Sequence, residues 1–396
     1  TTDMYPGDFG WTPTWDDPAR IHWWYHNMLS VTEAGPYDRS LEMDYDEEVG
    51  YQAVRWLHDA GRGSDERPFM MTVSFMHPHD PYLALRSDWE RYDHDAIDMP
   101  AVPWIPRELR DPLSQRLYDV YDRGEYRVTD EHGRAARHAY YAMITYVDRE
   151  FGKLLAALKA AGLAQDTIVI ATADHGDMLG ERGLWYKMNF FERSARVPLV
   201  MYGPEISRAR RVSRNVSLVD LLPTLLEIAG DDTAPVAPID GRSLLPLAAG
   251  SEALWPDTVY GDYMGEGTFE PLFMIRRGNF KYICCAGDPP QLFDLSADPD
   301  ELVNLAAQSS HREMAAAFAK EAAAKWDSDA IKQSVIASQR QRILVQEALL
   351  TGRIHPWDYQ AHQDASKQYN RNYSSELYDT DRRARIPYRP EPPKDG

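Results

Sequence analysis

The stretch that most constrains the fold of this chain is a short apolar run that ends in an acid and a histidine. Residues 167–172 (TIVIAT) are rich in β-branched side chains and show no polar alternation. Such a run predicts a central parallel strand buried on both faces. Asp174 and His175 follow almost directly. Because open α/β sheets bind ligands beyond the carboxyl ends of their strands, this position favours a metal site.

An isolated acid–histidine pair also fits a plainer interpretation. Asp174 would then cap a helix and His175 would be a hydrogen-bonded polar residue, because two ligands cannot complete a coordination sphere. The residues that follow favour the metal site. Glycines predict a loop whose backbone approaches an anion closely, and Lys187 adds a positive charge where an oxyanion would lie. These glycines are Gly176, Gly180 and Gly183.

Composition limits the class of protein. With 396 residues, 43% of them hydrophobic, the chain is long enough for one large domain and a smaller one. The net charge of −19 disfavours nucleic acids and anionic membranes as partners and is compatible with a cationic substrate. No run reaches the roughly 20 consecutive apolar residues that a membrane helix needs.

The cysteines bear on the cellular compartment. The only two, Cys284 and Cys285, are adjacent in a strand-like run, where neighbouring side chains point to opposite faces and do not bridge easily. The absence of a disulfide framework favours a reducing compartment and therefore a cytoplasmic location. The sequence starts without Met, so a preceding signal peptide stays an open alternative.

The first part of the chain predicts an α/β domain over residues 1–233. A helix is expected over 44–60 with Asp44 as its N-cap, and a strand is expected over 69–76. Residues 93–133 are Pro-rich and charged, which predicts an irregular excursion over the mouth of the site. A strongly amphipathic helix follows over 137–161.

The period of the pattern changes near residue 234. Residues 234–352 predict a smaller α+β subdomain, with antiparallel strands between 258 and 285 and two helices up to 350. The tail 353–396 is polar and rich in Tyr and Arg. Its aromatic residues favour an extended arm that wraps a neighbouring subunit of a homo-oligomer over a mobile end.

Two stretches carry a resemblance to a known family. DHGDMLGERGLWYKMNFFE, which begins at Asp174, with RVPLVMYGP after it, resembles the metal-binding signature of the sulfatase branch of the alkaline phosphatase superfamily. GERGLWYKMNFFE is most similar to choline sulfatases. IRRGNFKYI and QLFDLSADPDELVNLA resemble the small C-terminal sheet of sulfatases. The resemblance implies an α/β fold with an alkaline phosphatase-like large mixed sheet flanked by helices, a small C-terminal antiparallel sheet with a helix, and an extended tail.

The same resemblance implies roles for four residues. Asp174 and His175 would be ligands of one divalent metal, and Ca²⁺, Mn²⁺ and Mg²⁺ all fit an oxygen and imidazole donor set. Lys187 would neutralise the sulfate oxygens and the charge on the leaving oxygen. His79, in HPHDPY, would donate a proton to the leaving alkoxide. Alternatively, His77 and His79 are merely polar residues of a Pro-rich loop.

The nucleophile that the family implies is a formylglycine made from the cysteine of a C-x-P-x-R motif. Neither Cys284 nor Cys285 lies in such a motif. The nucleophile and the other metal carboxylate are therefore expected upstream of Thr1, in a few βα units on the order of a hundred residues long. This chain would then be about the C-terminal three quarters of an enzyme.

The expected substrate is choline-O-sulfate, a small cationic sulfate ester. A quaternary ammonium group is held by an aromatic face and a carboxylate. Trp11, Asn27 and Glu266 occupy positions that resemble the choline pocket, although Trp11 also fits a packing role and Glu266 a solvated loop acid. A second hypothesis is a phosphonate or phosphate monoester hydrolase of the superfamily. A third is an inactive fragment that keeps only the fold and oligomer contacts.

Overall fold

The computed structural model describes residues 14–16, 28–65, 67–121, 127–207, 209–230, 237–251, 255–265, 267–351 and 385–387. The α-helices of these ranges are α1 (Leu29–Thr32), α2 (Leu41–Arg62), α3 (Arg86–Trp89), α4 (Pro112–Tyr121), α5 (Asp130–Ala160), α6 (Glu192–Ala195), α7 (Leu221–Ile228), α8 (Leu245–Ala248), α9 (Arg312–Lys325) and α10 (Ser328–Leu350). The strands are β1 (Gly35–Tyr37), β2 (Leu83–Leu85), β3 (Val169–Thr172), β4 (Leu199–Tyr202), β5 (Thr258–Tyr263), β6 (Leu272–Arg277), β7 (Phe280–Cys285) and β8 (Gln291–Asp294). Short 3₁₀ turns connect several of them.

The long helices α2 and α5 pack along each other and form the framework of the first part of the chain. The Oγ of Ser40 caps α2 by accepting a hydrogen bond from the backbone N–H of Met43 at 3.3 Å. The prediction that Asp44 is the cap was wrong. Asp44 lies inside the first turn, where its carboxylate forms an ion pair with Arg39.

Helix α5 begins earlier than the sequence pattern predicts. Thr129 and His132 form a reciprocal capping box, in which each side chain bonds the backbone N–H of the other residue. The expected start at residue 137 was wrong because residues 130–136 continue the helix although they are largely polar. The preceding excursion is also more regular than predicted, since α4 lies within it.

The strands of the first part form two short pairs among the described residues. β1 pairs in parallel with β2, and β3 pairs antiparallel with β4, with Val169 opposite Tyr202. The prediction of a parallel strand buried on both faces was therefore wrong for β3, whose residues are partly exposed. An apolar run indicates burial, but it carries no information about the direction of the neighbouring strand.

Residues 69–76 form no strand and belong to no sheet in the described part of the chain. Met71, Val73 and Phe75 are half-buried, while the residues between them are exposed. Phe75 lies close to Gly50 of α2. The predicted strand therefore has the alternation of a strand that covers a helical layer on one side.

The four strands of the C-terminal sheet run antiparallel in the order β5-β6-β7-β8. Helix α9 covers one face and buries Ala315 and Phe318 against Ile275, Tyr282 and Leu292. The two cysteines lie at the end of β7, and neither forms a disulfide. The strands and helices expected here from the sequence are present, although the domain boundary itself stays a prediction.

The tail is described only at residues 385–387. Ile386 forms a β-bridge with Arg39, and the buried Arg385 pairs with Glu33 of the same chain at 2.7 Å. The oligomerisation arm expected over 353–396 otherwise lies outside the described residues and stays a prediction. None of the helices described here has the length and apolar character needed to cross a membrane.

Candidate active site

Asp174 and His175 follow β3, as the sequence pattern predicts. The Oδ1 atom of Asp174 accepts a hydrogen bond from the backbone N–H of His175 at 2.9 Å. The Nδ1 of His175 lies 2.8 Å from the carbonyl oxygen of Gly176 and must donate to it, which leaves the Nε2 lone pair available. This Nε2 lies 3.6 Å from Oδ2 of Asp174, and the Asp174 side chain is 87% exposed.

These two side chains have the chemistry of metal ligands. The carbonyl of Gly176 fixes the imidazole tautomer, as the second partner of a metal-bound histidine usually does. An exposed carboxylate oxygen and an imidazole nitrogen suit a divalent cation. Among the described residues, however, no group of three or more His, Cys, Asp or Glu side chains converges on one point, so this pair supplies only part of a coordination sphere.

The second half of the site is a contact between His79 and Lys187. The Nζ of Lys187 lies 2.5 Å from Nε2 of His79. On its other side, Nδ1 of His79 lies 2.6 Å from the carbonyl oxygen of Asp80 and 3.2 Å from its carboxylate Oδ1. Nδ1 therefore carries a proton, and Nε2 receives a hydrogen bond from the Lys187 ammonium.

The two halves adjoin each other. The ring centroids of His79 and His175 are 6.1 Å apart with their planes inclined at 66°. The structure therefore brings Asp174, His175, Lys187 and His79 into one region. Their catalytic and ligand roles stay predictions.

His77 is a polar residue of the Pro-rich loop without a direct place in the site, as the alternative interpretation predicts. Its Nδ1 lies 2.6 Å from Oδ2 of Asp46, and both side chains are buried. The same carboxylate accepts hydrogen bonds from the backbone N–H groups of Met76 and His77. His77 thus fixes the loop to α2, whereas His79, two residues later, is directed to the site.

The glycines of the loop serve packing rather than the predicted approach to an anion. A Cβ on Gly176 would lie 2.1 Å from the carbonyl oxygen of Arg193, and its N–H donates to Ser194. Gly183, with φ of +79°, lies against Trp104, where a Cβ would approach Cδ1 to 2.6 Å. The expectation that these glycines expose backbone to an anion was wrong, because protein atoms occupy that space.

Asp177 is a residue of the site that the sequence pattern did not single out. Its Oδ1 accepts hydrogen bonds from the N–H groups of Leu179 at 2.9 Å and Tyr186 at 3.1 Å, and its Oδ2 accepts from the hydroxyl of Tyr82 at 2.8 Å. Burial raises the pKa of Asp177 to about 7, although these hydrogen bonds and Lys187 lower it. The only signal in the sequence was a second acid in DHGD.

Tyr82 is fully buried beneath the site. Burial, with Asp177 next in importance, raises its pKa well above the ordinary value, so its hydroxyl remains a donor. Its ring stacks on that of Tyr186 at 6.1 Å. Tyr82 follows His79 by three residues, and Tyr186 directly precedes Lys187. The stacked rings therefore join the chain segment that carries His79 to the segment that carries Lys187.

The residues expected to bind the cation, Trp11, Asn27 and Glu266, lie outside the described residues. Met28 belongs to the same buried cluster as Tyr82 and Tyr186, and Gly267 packs on Leu117 of that cluster.

Family models match most of the chain. The model described as Sulfatase matches residues 3–231. The model for the C-terminal part of N-sulphoglucosamine sulphohydrolase matches residues 180–327, and the model for the choline sulfatase enzyme C terminus matches residues 333–386.

Among characterised relatives, the choline-sulfatase of Rhizobium meliloti (strain 1021) is 45% identical over 381 residues, which is 94% of this chain and 74% of that protein. Arylsulfatase K of Homo sapiens is 36% identical over 281 residues, 64% of this chain and 51% of that protein.

Solved structures show the same fold. The phosphonate monoester hydrolase of Agrobacterium radiobacter superposes with a TM-score of 0.63 and 26% identity, over 82% of this chain and 67% of that chain. A putative sulfatase of Bacteroides thetaiotaomicron superposes with a TM-score of 0.57 and 23% identity, over 72% and 64% respectively. The predicted alkaline phosphatase-like fold class is therefore confirmed. The chain is a sulfuric ester hydrolase by descent and belongs to the sulfatase family.

Proposed function

We propose that this chain acts in the hydrolysis of choline-O-sulfate to choline and sulfate. The observation that carries the proposal is the contact of 2.5 Å between Lys187 Nζ and His79 Nε2, beside Asp174 and His175. A cation beside an imidazole supports a role for Lys187 on the sulfate oxygens and for His79 at the leaving group. The choline-sulfatase relative supports this substrate, and the net charge of −19 favours a cationic ester.

Asp174 and His175 would hold one divalent metal, with Ca²⁺, Mn²⁺ and Mg²⁺ as the candidates. When bound, such a metal supplies a positive charge that polarises the sulfate group. The chain's own contribution is to orient the ligands. The Gly176 carbonyl holds the His175 ring so that Nε2 is the donor atom.

Lys187 and His79 act on different parts of the substrate, the sulfate oxygens and the leaving group. The Lys187 ammonium binds sulfate oxygens and neutralises their growing charge. The ammonium proton that Lys187 shares with His79 Nε2 can pass to the imidazole as the ester bond breaks, since Nδ1 stays hydrogen bonded to Asp80. Lys187 is then left as a neutral amine, so its charge acts on the sulfate only until this transfer. The resulting imidazolium protonates the leaving choline oxygen, which departs poorly as an alkoxide.

Neither cysteine fits the formylglycine nucleophile of the family, and neither takes part in the proposed reaction. Both lie in β7, outside a C-x-P-x-R motif. Burial raises the pKa of Cys284 to about 11 and that of Cys285 to about 12, so both thiols stay protonated. We propose that the nucleophile and the other metal carboxylate come from polypeptide outside this sequence.

Exposed side chains on β4 and on the unpaired segment 69–76 support that proposal. Residues 69–76 pair with no other described strand, and Met70 is 71% exposed. Val200 and Tyr202 on β4 are also exposed. Additional strands would cover these residues and bring further groups to the edge where Asp174 lies.

Trp11, Asn27 and Glu266 are proposed to hold the trimethylammonium group. An aromatic face attracts a cation that can donate no ordinary hydrogen bond, and a carboxylate adds charge complementarity. Met28 and Gly267, the described residues that follow Asn27 and Glu266 in the sequence, contact the cluster beneath the site, which supports this proposal.

A phosphonate or phosphate monoester hydrolase is the second candidate. Two phosphonate monoester hydrolases superpose with TM-scores of 0.63 and 0.61, and they carry 26% and 22% identity. The lysine and metal chemistry proposed here would serve a phosphoryl group equally well.

The test compares choline-O-sulfate, phosphocholine and an aryl phosphonate monoester as substrates of the full-length protein. We expect kcat/KM to be highest for choline-O-sulfate. A higher value for either phosphorus ester would replace the proposal with the second candidate. Intact mass and turnover of this 45.3 kDa chain alone test the inactive-fragment hypothesis, because turnover without any companion polypeptide would exclude it.

A further inference from the structure

The residue with the most unexplained contacts near the site is Asp177. Its carboxylate binds two backbone segments and one side chain from a distant part of the sequence. The roles proposed above for the sulfate and the leaving group do not use it. A partly buried acid with a complete set of hydrogen-bond donors therefore calls for a separate explanation.

The backbone contacts of Asp177 close the loop that separates His175 from Lys187. Its Oδ1 receives the N–H groups of Leu179, at the start of the loop, and Tyr186, at its end. The N–H of Met178 also donates to the carbonyl of Tyr186 at 2.7 Å. The loop is thereby drawn into a narrow neck, and Lys187 is the next residue after that neck.

The backbone leaving the neck has an uncommon conformation. Tyr186 has a φ of +62° and Met188 a φ of +70°, so the residues on either side of Lys187 lie in the left-handed region. For residues with a side chain this region is energetically unfavourable, so surrounding contacts must maintain it. The hydrogen bond from the Tyr186 N–H to Asp177 is one such contact.

The third contact reaches the segment that carries His79. Oδ2 of Asp177 accepts the hydroxyl of the fully buried Tyr82, whose ring stacks on Tyr186. The backbone of Tyr82 in turn accepts the N–H of Gly35, beside the pairing of β1 with β2. One carboxylate thus fixes both chain segments whose side chains meet at Lys187 and His79.

We propose that Asp177 is a positioning residue that, with Tyr82, holds the Lys187 ammonium at the Nε2 atom of His79. The expected effect on kcat rests on the proposed function, whereas the effect on the position of the Lys187 ammonium does not depend on the substrate. Its effect is exerted through hydrogen-bond geometry at the neck of the loop.

The variants separate geometry from charge. Asp177→Asn keeps an oxygen for the two N–H groups and an amide that can donate to the Tyr82 oxygen, so it should preserve the neck. Asp177→Ala removes all three contacts. Tyr82→Phe removes only the third and keeps the stacked ring, which provides a milder variant if Asp177→Ala does not fold. Asp220→Ala is the matched control, because Asp220 is a buried acid that joins the N–H groups of Ser217 and Arg242 elsewhere in the fold.

The direct measurement is the acetylation rate of Lys187 in the full-length protein, by mass spectrometry, with the exposed Lys153 as internal reference. We expect Asp177→Ala and Tyr82→Phe to change the Lys187 rate, and Asp177→Asn and Asp220→Ala to leave it near that of the unaltered protein. On choline-O-sulfate, Asp177→Ala should lower kcat by about a hundredfold, the scale of an ångström-sized misplacement, with a much smaller change in KM.

Several outcomes would overturn the inference. An unchanged Lys187 rate in Asp177→Ala would show that Asp177 does not hold the ammonium. Equal effects of Asp177→Asn and Asp177→Ala would mean that charge rather than geometry matters. If the labelling pattern appears as expected but no variant, nor the unaltered protein, hydrolyses choline-O-sulfate, the positioning inference stands and the proposed function fails.

Discussion

Lys187 Nζ and His79 Nε2 lie 2.5 Å apart although 108 positions of sequence separate the two residues. A lysine ammonium at this distance from an imidazole that is protonated at Nδ1 shares its proton with Nε2. The pair therefore offers a positive charge and a movable proton within one contact.

Lys187→Ala is expected to lower kcat on choline-O-sulfate by about 10² to 10³, the range found when one group that stabilises a developing anion is removed. Metal affinity, measured by equilibrium dialysis, should change far less, because Asp174 and His175 remain. The exposed Lys153, which pairs with Glu150 at 2.7 Å, supplies the control variant Lys153→Ala. Equal losses in kcat and in metal affinity would contradict the role of Lys187.

His79→Ala should affect substrates according to their leaving groups. Choline leaves as a poor alkoxide, so loss of the general acid should lower kcat by about 10² or more. An aryl sulfate with a 4-nitrophenolate leaving group needs little protonation and should lose much less. Parallel kinetics on the two substrates measure the difference, with the half-buried His311→Ala as control. A uniform loss would remove His79 from the proton-transfer step.

Glu266→Gln is expected to raise KM for choline-O-sulfate by about tenfold or more, which corresponds to about 1.4 kcal/mol of binding free energy. KM for an uncharged aryl sulfate should stay nearly constant, because that substrate has no cation for the carboxylate to attract. The exposed Glu227 of α7 provides the matched variant Glu227→Gln. A parallel rise on both substrates would exclude Glu266 from the cation pocket.

A histidine pair predicts how stability depends on pH. His138 of α5 donates Nε2–H to the carbonyl of Trp89 at 2.9 Å, so its Nδ1 is the acceptor for Nδ1–H of His94 at 2.9 Å. Nε2 of His94 lies 2.9 Å from the carboxylate of Glu131. Burial holds the pKa of His138 below its ordinary value of 6.5.

The folded protein thus binds fewer protons at His138 than the unfolded chain does. Its contribution to stability is complete above pH 6.5 and is lost as the pH falls through the lower pKa of the folded state. Denaturant titrations between about pH 5 and about pH 8 should show this decline. His138→Gln, which keeps one donor and one acceptor, should reduce it, whereas His58→Gln on α2 should not. An identical pH dependence in both variants would refute the assignment.

Lys281 is expected to be the most costly single lysine to remove among those described. Its side chain is 1% exposed, and its Nζ contacts Glu192 at 2.6 Å, Glu301 at 2.9 Å and the carbonyl of Phe190 at 2.7 Å. Burial raises the pKa of Glu301, so this acid depends on the lysine to stay ionised. Lys281→Met should lower the free energy of unfolding by about 3–5 kcal/mol.

A partly exposed ion pair gives the comparison. Lys325→Met, which removes a contact of 3.8 Å with Asp240, should cost less than about 1 kcal/mol. Urea unfolding gives the free energies of unfolding of Lys325→Met, Lys281→Met, Glu301→Gln and the double variant of Lys281→Met with Glu301→Gln. The last three measure the coupling between Lys281 and Glu301. A loss for Lys281→Met no larger than that for Lys325→Met would show that the buried network contributes little.

The sequence predicted the local parts of the site better than the contacts that join them. The D-H-G motif and Lys187 were recognisable because the stretch beginning at Asp174 is long and specific. The partners of Asp177 were not, since Tyr82 and Tyr186 come from separate segments and neither has a pattern of its own. Long-range hydrogen bonds of this kind depend on packing that periodicity does not encode.

For the secondary structure, too, local features were predicted better than long-range contacts. The antiparallel strands β5 to β7 were recognisable from their turns and alternation. The N-cap of α2 was assigned to Asp44 instead of Ser40, because both residue types favour caps and only the backbone conformation distinguishes them. Residues 69–76 were expected to form a strand, but a strand also needs a neighbour, which its own residues do not specify, and none pairs with them in the described part of the chain.

The contact of Ile386 with Arg39 joins the C-terminal part of the sequence to the segment that leads into β1. Arg385 and Ile386 contact the residues on either side of β1. Strand β1 pairs with β2, and β2 begins directly after Tyr82. A fusion tag or proteolytic cut just before residue 385 would remove the contacts of Arg385 with Glu33 and of Ile386 with Arg39. Such a change is expected to alter the geometry of the proposed proton delivery from the opposite end of the polypeptide, without touching any group proposed to meet the ester.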